Sequence, residues 1–398
     1  MAAERGPPEF VEALAPLPYH RALVAHLKAE EPEVWAWASS FEVQEQNRQD
    51  VRAGLLRDTY RLTAEAHPAA YAACHSVMAR LGIDAPATLY QAGGATMNAA
   101  LMYLPGEAHV ILHGPILEQL SDGELLALMG HELAHYRLWS IEQGDFYTAS
   151  RILDQTLANP GAAPSHVQSA RLYGLYTEIY ADRGAAFAAD DAGPAITTLV
   201  KVHAGAATVD PAAYLAQAAE LETADPSLSQ GYSHPETFLR AQAVDRWRRG
   251  DPQLDGWLRR RLQGPLSLGR LDLVDQAELT RVTRGFIARF LEDRTLASEE
   301  VMTQVRRYFP DWRDDEPPLE PDALLPDRAD DSVRDYLGFV MLDLALVDVD
   351  QRDHALLAAA RAAGVLGRGD AFLEALKRDA KLGRREVDAL ARKLKAAA

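Results

Sequence analysis

A histidine–glutamate–histidine motif constrains this chain more than any other feature of its sequence. His131-Glu-Leu-Ala-His135 lies in an apolar-periodic stretch that begins at Ser121, and Ser121 with Glu124 has the spacing of a helix capping box. Residues i and i+4 share one face of a helix, so both imidazoles can bind one metal ion, with Glu132 beside them to activate a water molecule. Two histidines leave room for a third protein ligand and a water, as at catalytic zinc sites. The motif therefore predicts a zinc hydrolase.

A second segment offers the missing ligand. Glu178 and Asp182 are again four residues apart, on a stretch whose apolar stripe includes Leu172 and Ile179. We expect Glu178 to be the third metal ligand and Asp182, one helical turn further on, to accept a hydrogen bond from a ligand imidazole. The alternative is an ordinary amphipathic helix with solvated acids.

A third motif follows, with Ser233-His234-Pro235 at a predicted helix start and Arg240 beyond it. His234 and Arg240 are candidate catalytic groups: they could donate to the oxyanion of a tetrahedral intermediate or hold the zinc ligands in place. The alternative for His234 is a capping or surface histidine.

The order and spacing of these three motifs resemble the zinc metallopeptidases that include the CAAX prenyl endopeptidase and the HtpX- and Oma-like proteases. The resemblance covers residues of about 70–245 and implies a gluzincin core with one zinc ion per chain. It implies that His131, His135 and Glu178 bind zinc and that Glu132 is the catalytic base and acid. It also implies auxiliary roles for Asp182, His234 and Arg240. Those relatives have transmembrane helices, which this sequence lacks.

The segment between Ile83 and Leu112 changes period and predicts a small antiparallel sheet, so the expected fold class is α+β and mostly helical. Asn98, Ala99 and Ala100 lead into an apolar strand. We expect these three residues to bind substrate, because a peptide can extend a sheet edge by main-chain hydrogen bonds. That mode predicts an endopeptidase for extended or unfolded protein segments.

Composition narrows the partners and the compartment. A net charge of −17 argues against nucleic acid or an anionic membrane as the main partner. No stretch has the length and apolarity of a membrane span or a signal peptide. The single cysteine, Cys74, excludes an internal disulfide and fits a reducing compartment. The sequence thus predicts a soluble, cytoplasmic protein.

We divide the chain into four parts by composition. Residues 1–250 are the predicted metallopeptidase domain, with N-terminal helices over 1–80, and residues 251–310 are a helical extension. Residues 311–331 contain nine acidic residues and four prolines and predict an extended linker. Residues 332–398 are a predicted helical domain with a faint likeness to TerB-like domains, or a generic helical bundle.

Two other functions stay open. The chain could be a latent or silent protease-like binding module whose C-terminal helical domain contacts a protein partner or inhibits the enzyme. A zinc hydrolase of a non-peptide amide is a third hypothesis.

Several histidines lie outside these motifs. His109 and His113 flank the strand before the catalytic helix and could line the cleft, and His203 could replace His234 as an auxiliary group. Six more lie outside any ligand spacing and are expected at the surface or at the edge of a core: His20, His26, His67, His75, His166 and His354.

Overall fold

The computed structural model describes residues 14–396, apart from the side chains of 41–47, 321 and 395–396. It consists of two compact units, the first ending at Gln263 and the second beginning at Gly264. The predicted α+β, mostly helical fold is confirmed. The helices of the first unit are α1 Pro18–Glu30, α2 Pro32–Ala38, α3 Phe41–Asp58, α4 Pro68–Leu81, α5 Ile116–Gln119, α6 Asp122–Ser140, α7 Asp145–Leu157, α8 Pro164–Ala189, α9 Ala192–Ala204, α10 Pro211–Ala224, α11 Thr237–Arg248 and α12 Leu254–Leu262.

The first unit contains a four-stranded mixed sheet. Its strands are β1 Tyr60–Arg61, β2 Ala87–Ala92, β3 Asn98–Leu104 and β4 Glu107–His113, in the order β1-β2-β4-β3. The prediction of an antiparallel sheet is wrong for one pair, because β2 and β4 run parallel. A tight turn at Gly106, with φ +83°, folds β4 back on β3 and places β4 between β3 and β2. Strand β3 is consequently an edge strand.

Helix α6 begins where the capping box predicts. The Oγ of Ser121 accepts a hydrogen bond from the backbone N–H of Glu124 at 3.4 Å, and the Glu124 carboxylate accepts from the backbone N–H of Ser121 at 2.8 Å. The buried Lys201 ammonium lies 2.9 Å from the same carboxylate. The capping box thereby satisfies two backbone N–H groups at the start of the helix that carries the histidine motif.

Helix α8 is the longest in the unit and packs against α6 along a nearly continuous buried surface. Gly130 on α6 and Gly184 on α8 make this close approach possible. A Cβ atom at Gly184 would lie 2.3 Å from the Cβ of Ala134, and one at Gly130 would lie 2.5 Å from the Cβ of Ala188. The absence of these two methyl groups brings the two motif-bearing helices together.

The first unit extends beyond the predicted boundary at residue 250. Helix α12 belongs to it, since the Arg261 carbonyl accepts a hydrogen bond from the backbone N–H of Ser229 at 2.7 Å. Tyr176 of α8 likewise donates to the Gln263 side chain at 2.9 Å. The predicted extension over 251–310 is therefore divided between the two units.

The second unit is helical, and the predicted linker over 311–331 is part of its core. Leu319, Leu324 and Ala329 are buried with residues of the surrounding helices, and Arg284 pairs with Glu316 through two hydrogen bonds of 2.8 and 2.9 Å. The sequence prediction missed these few buried apolar residues because acidic residues dominate the composition of the segment. The helices of this unit are α13 Leu273–Phe290, α14 Glu299–Tyr308, α15 Asp331–Val347, α16 Arg352–Val365, α17 Gly369–Arg378 and α18 Arg384–Ala396.

Candidate metal centre

All three sequence motifs meet at one cleft of about 990 Å³ in the first unit. Helix α6 contributes the histidine motif, α8 contributes Glu178 and Asp182, and the loop before α11 contributes His234, with Arg240 following on α11. The structure thus brings the three motifs together, as expected, although more than forty residues separate each from the next in sequence.

His131, His135 and Glu178 form the center of the cleft. The two Nε2 atoms of the histidines are 3.4 Å apart. The carboxylate oxygens of Glu178 lie 3.5 Å from Nε2 of His131 and 3.7 Å from Nε2 of His135. Ligands at about 2.0–2.1 Å from a tetrahedral metal ion lie about 3.3–3.4 Å from one another, so this spacing fits a single ion.

The hydrogen bonding of the triad also fits a metal. Oε2 of Glu178 is buried and has no hydrogen-bond partner among the described residues. The Arg240 Nη2 lies 3.1 Å from this oxygen, so the oxygen is charge-paired but has no well-directed hydrogen bond. Two imidazoles and one carboxylate are the donor set of catalytic sites that keep one position open.

Asp182 and Arg240 form hydrogen bonds and ion pairs with the residues of the triad. The Oδ1 atom of Asp182 lies 3.0 Å from Nδ1 of His131, which leaves Nε2 directed at the metal position. Arg240 donates two hydrogen bonds to Asp182, at 2.7 and 2.8 Å, and its Nη2 is also 3.1 Å from Glu178. The predicted contact between Asp182 and a ligand imidazole is thus present. Nδ1 of His135 is buried without a partner in the part of the chain that the structure describes.

Burial and charge set the protonation of the ligands. Burial lowers the pKa of His131, but its contacts with Asp182 and Glu178 outweigh burial and raise the pKa to about 10. Burial lowers the pKa of His135 to about 4. Burial raises the pKa of Glu178, yet the Arg240 charge and the nearby histidines bring it far below its usual range. The triad therefore combines an ionised carboxylate with two imidazoles, of which His131 must lose a proton to bind a metal ion.

Glu132 lies between the triad and the sheet. Its side chain is buried, and a backbone hydrogen bond from Leu101 of β3 reaches its carboxylate. Burial raises the pKa of this carboxyl to about 7, against the lowering effect of the neighbouring His131. Its position next to the ligands, with a pKa near neutrality, suits a group that accepts and returns a proton.

His234 lies at the mouth of the cleft. Its side chain is 57% exposed, and Nε2 is 3.6 Å from Glu178. The Oγ of Ser233 lies 2.8 Å from the other ring nitrogen of His234. Arg171 of α8 fixes the preceding loop by donating to the carbonyls of Ser229 and Gly231 at 2.7 and 2.9 Å. The loop thereby presents a polar ring where a substrate would enter.

The predicted substrate strand also borders the cleft. Asn98, Ala99 and Ala100 line it, on the edge strand β3. The backbone N–H of Leu101 donates to the Glu132 carboxylate. It therefore points toward helix α6 and away from the neighbouring strand β4. A sheet edge beside the triad can accept an extended peptide.

The positions of several other histidines differ from those expected from the sequence. His203 lines the cleft, whereas His109 is buried among Tyr90 and Glu107 and does not line it. His113 does not line it either. His20 was expected at the surface or a core edge and is instead fully buried.

The sequence motifs did not identify the wall that α7 contributes. Leu153, Asp154 and Leu157 of α7 line the cleft together with Trp139 of α6 and Tyr173 of α8. The amphipathic spacing of α7 was a signal that it packs against something, but no motif indicated that its partner is the candidate site.

Comparison with known proteins agrees with this geometry. Residues 71–248 match the profile of Peptidase family M48. The plastoglobule-localized metallopeptidase 48 of Arabidopsis thaliana, a chloroplast protein, is 27% identical over 188 residues, which cover 42% of this chain and 54% of that protein. The chain thus matches about half the length of this curated relative. No solved structure matches significantly. Among residues 14–396, no helix has both the length and the apolarity to cross a membrane.

Proposed function

We propose that this chain, which matches the profile of peptidase family M48 over residues 71–248, is a zinc-dependent endopeptidase that cleaves extended or unfolded protein segments. The spacing of 3.4–3.7 Å among the donor atoms of His131, His135 and Glu178 carries the proposal. Zinc is favoured because neutral imidazole and carboxylate ligands in a tetrahedral set suit it.

Glu132 is the proposed base and acid. When bound, zinc supplies Lewis-acid polarisation of the scissile carbonyl and of water. The Glu132 carboxylate accepts the proton of the attacking water and later donates it to the nitrogen of the leaving amine. The Leu101 hydrogen bond directs this carboxylate toward the peptide that lies on β3.

His234 and Arg240 have different proposed roles. Arg240 already contacts Asp182 and Glu178, so its guanidinium positions the ligands rather than the substrate. His234 is exposed at the cleft and is free to donate to the oxygen on which negative charge develops.

The substrate is proposed to bind along the edge of β3 by main-chain hydrogen bonds. Asn98, Ala99 and Ala100 offer small or polar side chains at this edge, which leave the strand accessible. Recognition through the backbone requires an extended substrate and favours unfolded or flexible segments over folded domains. A reducing compartment such as the cytoplasm belongs to the same proposal, and the buried free thiol of Cys74 supports it.

Metal content and cleavage together test this function. We expect about one zinc per chain in the wild-type protein and in Glu132→Gln, and a strong loss in Glu178→Ala, with Glu220→Ala outside the cleft as the control. Wild type should cleave an unfolded protein such as reduced, alkylated lactalbumin, and Glu132→Gln should cleave it about 10²–10⁴-fold more slowly. A wild-type protein that stays metal-free in the presence of zinc would exclude the mechanism.

A further inference from the structure

The wall formed by α7 and α8 beside the metal centre has one carboxylate in otherwise apolar surroundings. We call this wall the α7–α8 lobe; it consists of Ser150, Leu153, Asp154, Leu157, Ala170 and Tyr173. The α7 members are spaced i, i+3, i+4 and i+7, so they form one stripe that faces the cleft.

The lobe is continuous with the metal centre. On α8 the stripe that lines the cleft runs from Ala170 through Gly174 to the ligand Glu178. Glu178 follows Ala170 by eight positions, which corresponds to about 12 Å along the helix. Gly174 has no side chain to separate the lobe from the ligands. A long side chain of a peptide held at the triad can therefore enter the lobe.

Asp154 has no ion-pair partner among the residues that the structure describes. Arg240, the arginine that lines the cleft, is engaged by Asp182 and Glu178. Asp154 is accessible from the cleft, yet the surrounding wall raises the pKa of its carboxyl by desolvation, which a hydrogen bond with Ser150 partly offsets. The lobe thus presents an uncompensated carboxylate above the apolar surfaces of Leu153, Leu157 and Tyr173.

We propose that the α7–α8 lobe is a substrate subsite for a lysine or arginine side chain, with Asp154 as the residue that determines the specificity. The methylene stem of such a side chain packs on the leucines and the tyrosine ring, and its cationic end reaches the carboxylate. This inference rests on the proposed function, because it assigns a substrate class to the same cleft.

Peptide binding to the zinc-loaded Glu132→Gln protein tests the subsite without requiring cleavage. The probes are labelled decapeptides of alanine and glutamine in which one internal position, scanned along the peptide, carries lysine, norleucine or glutamate. Norleucine keeps the stem and removes the charge. We expect lysine to bind about tenfold tighter than norleucine at the preferred position, as measured by fluorescence anisotropy.

Second substitutions in the same background assign the effect to Asp154. Asp154→Asn should reduce the lysine preference to within about twofold, and Asp154→Lys should shift the preference to glutamate. Asp84→Asn, which removes one exposed negative charge outside the cleft, should leave the preference intact.

Equal binding of lysine and norleucine, no binding of lysine peptides, or a lysine preference that survives Asp154→Asn would each overturn the subsite. Binding and cleavage assays with the wild-type protein distinguish failure of the subsite from failure of the endopeptidase function. Lysine-selective binding without any cleavage would overturn the endopeptidase function and leave the subsite standing. Cleavage with no enrichment of lysine or arginine near the cleaved bonds would overturn the subsite alone.

Discussion

Gly130 of α6 and Gly184 of α8 lie against each other at the closest approach of the two helices that supply the metal triad. A Cβ atom at either glycine would come within 2.7–2.8 Å of the backbone oxygen of the other. Such a contact is shorter than real Cβ atoms tolerate, so a methyl group at either position must push the helices apart. The spacing between the histidines of α6 and Glu178 of α8 therefore depends on two residues that contact no ligand.

Gly184→Ala is expected to lower both stability and metal affinity. The added methyl overlaps Ala134 and the Gly130 carbonyl, and overpacking of this kind costs about 1–3 kcal/mol. Denaturant unfolding and zinc titration of the same samples measure the two effects. Gly54→Ala is the matched control, because nothing lies within 4 Å of its added methyl and alanine favours a helix. A Gly184→Ala protein with wild-type zinc affinity would contradict this account.

Asp182→Asn is expected to weaken metal binding by about 10–100-fold. The substitution removes the charge that orients His131 through Nδ1, and it leaves the buried Arg240 with a weaker partner. Competition for zinc with a chelator of known affinity measures the change.

The control for this variant removes a different carboxylate that also pairs with an arginine. Asp255 lies 3.5 Å from Arg183 and is 61% exposed. Asp255→Asn should bind zinc as wild type does, since the carboxylate it removes is exposed and lies outside the cleft. Equal zinc affinity in Asp182→Asn and Asp255→Asn would show that Asp182 has no influence on the ligands.

Much of the candidate site was predictable because helical periodicity determines which of its residues share a helix face. Spacing of i and i+4 placed His131 with His135, and Glu178 with Asp182, on single helix faces, and the capping box at Ser121 located the start of α6. The contact between Gly130 and Gly184 was not predictable, because it depends on the distance between helices. The parallel pairing of β2 with β4 was missed for a similar reason, since local patterns do not reveal strand order.

His20 is expected to make folding sensitive to acid. Burial, together with Arg183 and Arg21, lowers its pKa from about 6.5 to about 3, so the folded protein keeps it neutral while the unfolded chain binds a proton. Its contribution to the free energy of unfolding is complete above pH 6.5 and is lost as the pH falls toward 3. Between pH 7.5 and pH 5 the loss amounts to about 2 kcal/mol.

Comparison with His20→Gln isolates this contribution from those of other groups. The free energy of unfolding of each protein is measured by urea titration at several pH values, and the difference between the two proteins is plotted against pH. We expect the difference to shrink by about 2 kcal/mol between pH 7.5 and pH 5. A difference that is independent of pH would mean that His20 titrates normally in the folded protein.

The same residue shows where sequence reasoning fails. His20 has no ligand spacing, yet it is enclosed by Tyr173, Tyr180 and Phe146, and its Nε2 is 3.2 Å from the Thr177 hydroxyl. These partners lie more than 120 residues away along the chain. Composition also misjudged residues 311–331, where a few buried apolar side chains outweigh many exposed charges.

Leu319→Ala is expected to destabilise the second unit by about 2–5 kcal/mol, as for other buried leucines. Leu319 is 6% exposed, its backbone N–H donates to the Gly285 carbonyl at 2.8 Å, and its side chain packs with the helices that surround it. Hydrogen exchange in peptides covering α13 and α15 should accelerate. Leu325→Ala, at a leucine that is 49% exposed in the same segment, should change the free energy of unfolding by less than about 0.5 kcal/mol. Similar exchange in the two variants would restore the interpretation of this segment as a linker.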